Sequence, residues 1–266
     1  MSLVVTILGC GSSGGVPRIG SGWGACDPND PRNHRRRCSI LVERVGAVGV
    51  TSVLVDASPD LRAQLLDADV KRLDAVLLTH DHADHTHGID DLRPLVIHMR
   101  RRMPVYMDPA TSTEIIRRFG YCFETPPGSP YPPILDRHGI DVGVPVAIHG
   151  PGGAVVGLPF RMEHGNSEAL GFRFGDLAYA SDVSHMPDES LDALGGLEVL
   201  VIDALRYAPH PTHFSLDQAL ALVETLQPRR AVLTNMHTDL DYASLRARLP
   251  SNVEPAFDGM RIELPD

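Results

Sequence analysis

The sequence predicts a mixed α/β (α+β) chain in which strands outnumber helices by roughly two to one. Three observations predict it. Short apolar runs rich in Val, Ile and Leu recur between Gly, Pro and Asp punctuation, which is how buried strands read. A smaller set of segments carries apolar residues at helical spacing. The 266 residues, 43% hydrophobic and 22% charged, suffice for a sizeable core, and 24 Gly with 22 Pro form no repeat, which excludes collagen-like, coiled-coil and disordered chains.

Taken in order, the strand candidates are residues 3–8, 39–43, 52–56, 75–79, 105–107, 155–163, 171–174, 178–181, 199–203 and 231–234, with a closing pair near Val253 and Ile262. The helix candidates are 59–68, 91–101, 111–119, 215–226 and 242–248, with Ser215 placed to cap the fourth. Residues 125–133, TPPGSPYPP, hold five prolines in nine positions and can continue neither a helix nor a central strand. Composition does not change across this loop, so the chain is expected to form one domain over 1–266.

Cys10, Cys26, Cys38 and Cys122 show no CxxC spacing and read as thiols of a cytoplasmic protein. No apolar run approaches the ~20 residues that cross a bilayer, and the opening residues lack the basic flank of a leader. The 34 acids against 24 Lys plus Arg give −10, which argues against a membrane-surface binder or a partner such as long nucleic acid. Residues 1–50 depart from this balance at +3, through Arg18, Arg32, Arg44 and the run Arg35 to Arg37. That run suits either a phosphate contact or a salt-bridged face.

Thirteen histidines are many for this length, and their placement carries the chemistry. Residues 77–88 read LLTHDHADHTHG, an apolar strand running into the pattern HxHxDH. Residues two apart on a helix point in different directions, so His80 and His82 must converge from a loop. There they can share one divalent ion, while Asp84 and His85, opening the next helix, reach a second. So many polar groups at a strand end require a cation or water to organise them. Completing two coordination spheres needs donors from later strand ends, and His164, Asp182 and His237 each stand just past an apolar run.

With these residues the chain resembles the metallo-β-lactamase-fold hydrolases over nearly its whole length. The resemblance implies a four-layer αββα sandwich, with His80, His82 and His164 on one metal, Asp84, His85 and His237 on the other, and Asp182 bridging them. Within that superfamily it resembles the phosphodiesterases of phosphonate catabolism that open phosphoribosyl 1,2-cyclic phosphate, through TILGCGSSGGVPR with RRRCSILV, PTHFSLDQALAL and FDGMRIEL. By the match to PTHFSL, His213 is implied to contact the substrate phosphate and donate a proton. Some members carry a structural zinc held by several Cys and a late His. Here SGWGACD supplies only Cys26, and Leu240 stands three residues after His237, so no structural zinc is expected.

The resemblance thus implies a hydrolase with two divalent ions, manganese or zinc, acting on a small cyclic or nucleotide-like phosphodiester. The ions would turn a bridging water into hydroxide for in-line attack on phosphorus, Asp84 would orient that water, and His213 would protonate the departing oxygen. Two other readings stay open: hydrolysis of another bond, such as a thioester, on the same metals, and a non-hydrolytic metal-binding accessory protein. A homodimer is compatible with the sequence.

Overall fold

The computed structural model describes residues 2–265. Along the chain run β1 (Ser2–Gly9), β2 (Ser39–Gly46), β3 (Gly49–Val55), α1 (Leu61–Asp67), β4 (Ala75–Leu77), α2 (Ala83–Thr86), α3 (Arg93–Met99), β5 (Met103–Met107), α4 (Pro109–Phe123) and β6 (Leu135–Gly139). Then follow β7 (Val146–Gly150), β8 (Gly153–His164), β9 (Ser167–Phe174), β10 (Leu177–Ala180), α5 (Asp188–Ala193), β11 (Val199–Asp203), α6 (Leu216–Leu226), β12 (Arg230–Thr234), α7 (Tyr242–Arg246), β13 (Val253–Pro255) and β14 (Arg261–Pro265).

These strands form two seven-stranded sheets, β14-β1-β2-β3-β4-β5-β6 and β13-β12-β11-β10-β9-β8-β7. The last strand returns to the first sheet, pairing antiparallel with β1 so that Ile262 lies opposite Val5. Parallel pairing begins at β3·β4 in one sheet and β10·β11 in the other, and each parallel step carries a helix, as a crossover requires. The strand period of two sorts the core. Val53, Val55 and Leu77 pack between the sheets with Phe160, Phe172 and Tyr179, whereas Leu54 and Val76 face Leu61 of α1, Val96 of α3 and Ile115 of α4. On the far side Leu216, Ala219 and Val223 of α6 cover the second sheet, which completes the four-layer αββα sandwich. Ser215 caps α6 in a reciprocal capping box with Gln218, as the sequence indicates.

Three elements lie outside the sequence reading: β6, β7 and α5. β6 is LDRHG, with only Leu135 buried, and it exists because its backbone pairs with β5 rather than because it is apolar. The proline-rich residues 125–133 fall in the irregular connection between α4 and β6.

The basic run is structural. Arg35 is 1% exposed, and its Nη2 donates to the carbonyl of Leu240 (2.7 Å) and to Oδ1 of Asn33 (3.2 Å), while its Nη1 donates to the carbonyl of His237 (3.3 Å). Arg36 pairs with Asp67 at 2.7 Å and Arg37 with Asp60 at 3.0 Å. The end of β1 packs directly on this run: a Cβ on Gly9 would stand 2.0 Å from the Arg37 carbonyl oxygen, so only glycine fits.

Candidate metal centre and active site

The site lies where strands end. β3 stops before Asp56, which adopts a left-handed φ of 66° and turns its carboxylate to receive the backbone N–H (2.9 Å) and the hydroxyl (2.9 and 3.0 Å) of Thr79 beyond β4. That anchor fixes the loop 79–82. His80 leaves the strand end, His82 immediately precedes α2, and Asp84 and His85 belong to that helix. From the other sheet His164 ends β8, Asp182 stands two residues past β10, Asp203 ends β11, and Asn235 follows β12. His213 sits in the loop before α6.

Six of the eight residues singled out by sequence come together around Asp182. Its Oδ1 lies 3.1 Å from Nε2 of His85, and its Oδ2 lies 4.0, 3.8 and 3.8 Å from His80 Nε2, His164 Nε2 and His213 Nδ1. His82 Nδ1 is 3.2 Å from His164 Nε2. Asp84 Oδ2 adds a seventh group, 3.5 Å from His85 Nε2. Donor atoms of His80, His82 and His164, of His80, His85 and Asp182, and of His164, Asp182 and His213 each cluster within 4.8 Å.

The tautomers are set from outside the cluster. His80 Nδ1 meets the Thr79 hydroxyl (2.9 Å), His85 Nδ1 the Asp56 carboxylate (2.6 Å), and His164 Nδ1 the Thr212 carbonyl (2.6 Å). Each ring is thereby oriented with Nε2 toward Asp182, the arrangement by which outer partners prepare metal-binding imidazoles. His80 Nε2, His85 Nε2 and Asp182 Oδ1 are buried without a hydrogen-bond partner, although the last two approach each other closely. Orphaned acceptors facing one space are what a divalent cation satisfies, so these residues fit the metal that the sequence implies.

The electrostatics agree. Burial and the neighbouring His85 hold His80 well below the usual histidine range, leaving it neutral. Burial would also lower His85, but the carboxylates of Asp182, Asp56 and Asp84 override it and raise it well above. Burial opposes ionisation of Asp84, yet His85 brings its carboxyl down to about 2. Beside the cluster, burial pushes Asp203 up to about 7. Its Oδ2 lies 2.8 Å from His213 Nδ1, and although burial would lower His213, this contact raises it.

His237 is the one predicted ligand that the structure directs elsewhere. After β12 the chain takes a left-handed turn at Asn235 (φ 60°), Met236 N–H bonds the Cys10 carbonyl (2.9 Å), and His237 N–H bonds the Leu205 carbonyl (2.8 Å). This carries the ring past the cluster, so that Nε2 faces the Arg18 guanidinium and Nδ1 lies 3.3 Å from Asp239. Asn235 turns inward instead, its amide donating to Asp203 Oδ1 (3.1 Å).

A pocket of about 160 Å³ opens beside the cluster, lined by Ser12, Arg18, Arg206, His210, His213 and His237 among others. Neither guanidinium has a carboxylate partner among the described residues; Arg206 is steered by the carbonyls of Ala208 (3.1 Å) and Pro209 (2.8 Å). Ser12 Oγ is buried here without a partner. The pocket is built to receive an anion. Sequence reasoning missed Arg18 and Arg206, which carry no motif spacing, and Asp56 and Asp203. The last two were accessible, since each is an acid at the end of an apolar run, the same signal that marked Asp182.

Residues 51–236 match the family model described as a Beta-lactamase superfamily domain. The chain is 32% identical over 259 residues, 96% of its length, to an octanoyltransferase of Porphyromonas gingivalis, but it spans only 50% of that protein. Among solved structures it superposes on a diphosphatase from the PhnP family with a TM-score of 0.89 and 34% identity, covering 99% of this chain and 98% of that one. Zinc-bound PqqB from Methylobacterium extorquens shares the fold at 19% identity and a TM-score of 0.75, over 98% of this chain and all (100%) of that one. The matched model, the two-sheet sandwich and the clustered strand-end donors together make this chain a member of the β-lactamase superfamily, with the metallo-β-lactamase fold and a close likeness to the PhnP family.

Proposed function

We propose that the chain is a metal-dependent phosphodiesterase acting on a small cyclic or nucleotide-like phosphodiester, of the phosphoribosyl 1,2-cyclic phosphate type. The pocket beside the metal cluster carries this reading. Two guanidiniums that have no carboxylate partner among the described residues, three imidazoles and an orphaned hydroxyl suit phosphoryl oxygens, whereas a thioester would present them with no anion at the scissile carbon. The net charge of −10 favours a small substrate over a nucleic-acid chain.

His80, His82 and His164 would hold one divalent ion, zinc or manganese, Asp84 and His85 a second, and Asp182 both. Bound there, the ions supply Lewis acidity and an activated water. The chain's own residues do the rest. Asp84, its side chain 19% exposed at the mouth of the cluster, can orient the attacking water. Arg18 and Arg206 draw the phosphoryl group into the pocket. Asp203 holds His213 by Nδ1 and keeps a proton on the pair, leaving the opposite ring edge to protonate the departing oxygen. No structural zinc is assigned near Cys26: its Sγ lies 3.4 Å from the Thr238 carbonyl oxygen, and the Arg35 guanidinium stands 3.9 Å away, where a second cation would be repelled.

The test compares wild type with His213→Ala, both loaded with manganese or zinc and assayed for metal content. A proton donor matters most for a poor leaving group. The variant should retain metal, lose roughly 10²–10⁴-fold on a sugar-phosphate diester, and lose distinctly less on bis-p-nitrophenyl phosphate, whose leaving group needs no proton. Equal losses on both would remove His213 from that role, and metal-loaded wild type without turnover of any phosphodiester would refute the function. Thioester hydrolysis is the second reading. The name of the P. gingivalis relative speaks of acyl transfer rather than hydrolysis, and the chain spans half of that protein.

A further inference from the structure

We infer that the two metal positions of this chain are unequal: an imidazole-rich position at His80, His82 and His164 retains its ion, while an oxygen-rich position at Asp84, His85 and Asp182 exchanges its ion readily and prefers a harder one. The inference rests on the metal-dependent reading above but concerns only the ligands.

The donor sets differ in number and kind. The first position has three imidazoles with Asp182 beside them, and two of those rings are locked through Nδ1 by Thr79 and the Thr212 carbonyl. The second has one imidazole, His85, and two carboxylates, one of them the shared Asp182. Its expected fourth donor, His237, is tied in three ways: the ring to Arg18, the N–H to the Leu205 carbonyl, and the carbonyl oxygen to buried Arg35.

Among the described residues no neighbour replaces it. Cys38 Sγ is engaged 3.6 Å from both the Gly11 carbonyl and the Thr234 hydroxyl. His213 groups with His164 and Asp182, and its Nδ1 is held by Asp203. Asn235 directs its amide nitrogen to Asp203, leaving at most a neutral oxygen, a far weaker donor than imidazole.

Fewer and harder donors mean weaker retention and a shift in preference. Imidazole suits zinc, whereas carboxylate, carbonyl and water suit manganese or magnesium. Losing even an outer-shell partner costs about 10–100-fold in metal affinity, so losing a direct ligand separates the two positions by roughly 100-fold or more.

Zinc-loaded protein is dialysed against a graded chelator series and its metal counted per chain by mass spectrometry. The expected curve has two steps with a plateau near one ion, spanning about 100-fold in free zinc. Refilling the plateau species with Mn²⁺ should add one equivalent, seen by electron paramagnetic resonance. Asp84→Ala should remove the early step and keep the late one, His82→Ala should remove the late one, and Asn235→His should bring the steps together. Loss of both ions in one step overturns the inference, as does loss of the late ion in Asp84→Ala. Because the readout counts metal, an inactive protein with a plateau would refute the phosphodiesterase and leave unequal sites standing. An active protein with a single step would do the reverse, and one that binds no zinc would refute both.

Discussion

Replacing Arg35 with methionine should cost this protein about 2 kcal/mol without touching the metal cluster. The side chain is buried, and its guanidinium sews the segment before β2 to the turn after β12 through the carbonyls of Leu240 (2.7 Å) and His237 (3.3 Å). Methionine fills much of the stem's volume but strands the Leu240 carbonyl, whereas the His237 carbonyl keeps the Leu240 N–H at 3.2 Å. Each orphaned acceptor costs about 1–3 kcal/mol. Asn33 Oδ1 is not counted, because it also accepts the Tyr242 N–H at 2.8 Å. With one acceptor stranded, the middle of that range is about 2 kcal/mol. For a chain of this size 1 kcal/mol moves Tm by roughly 2–4 °C, so the loss is roughly 4–8 °C. The assay is thermal unfolding at fixed free metal, since bound metal adds its own stability. Arg35→Lys, which keeps one donor head, should fall between. A drop below about 2 °C for the methionine variant would refute the brace.

Asp56→Ala, which frees the Nδ1 of His85, should reduce metal retention by about 10–100-fold in equilibrium dialysis while leaving the far-ultraviolet spectrum unchanged. Gly88→Ala places a Cβ 1.9 Å from the Ser58 carbonyl oxygen, and chemical denaturation should report a loss of about 1–3 kcal/mol or more. All four cysteines are buried, and burial chiefly pushes Cys122 up to about 12; a thiol reagent at neutral pH should label none within minutes in the native protein and all four in denaturant.

The sequence carried the strands whose apolar runs are buried on both faces, such as β11, all five of whose residues are buried. It did not carry β6, where main-chain pairing with β5 supplies what LDRHG lacks in hydrophobicity. At the site, HxHxDH was readable because strand context and spacing alone exclude a helix. His164 and Asp182 were readable as donors at strand ends, and the structure brings both into the cluster. The same rule chose His237 over Asn235, because spacing along a chain does not reveal a left-handed φ that sends one side chain inward and the next but one outward. Arg18 and Arg206 were invisible for a related reason: they meet across 188 residues of sequence.

The cluster also joins two layers that the chain connects only at a distance. His80, His82, Asp84 and His85 hang from the first sheet, whereas His164 and Asp182 hang from the second. An ion seated among them is a rivet through the open rim of the sandwich, and neither layer alone offers it a complete grip. Metal supply and folding then become one equilibrium: free ion at 100 times its Kd would add about 2.7 kcal/mol to the folded state. Starvation for the ion would therefore shorten the lifetime of the protein as well as stop its turnover.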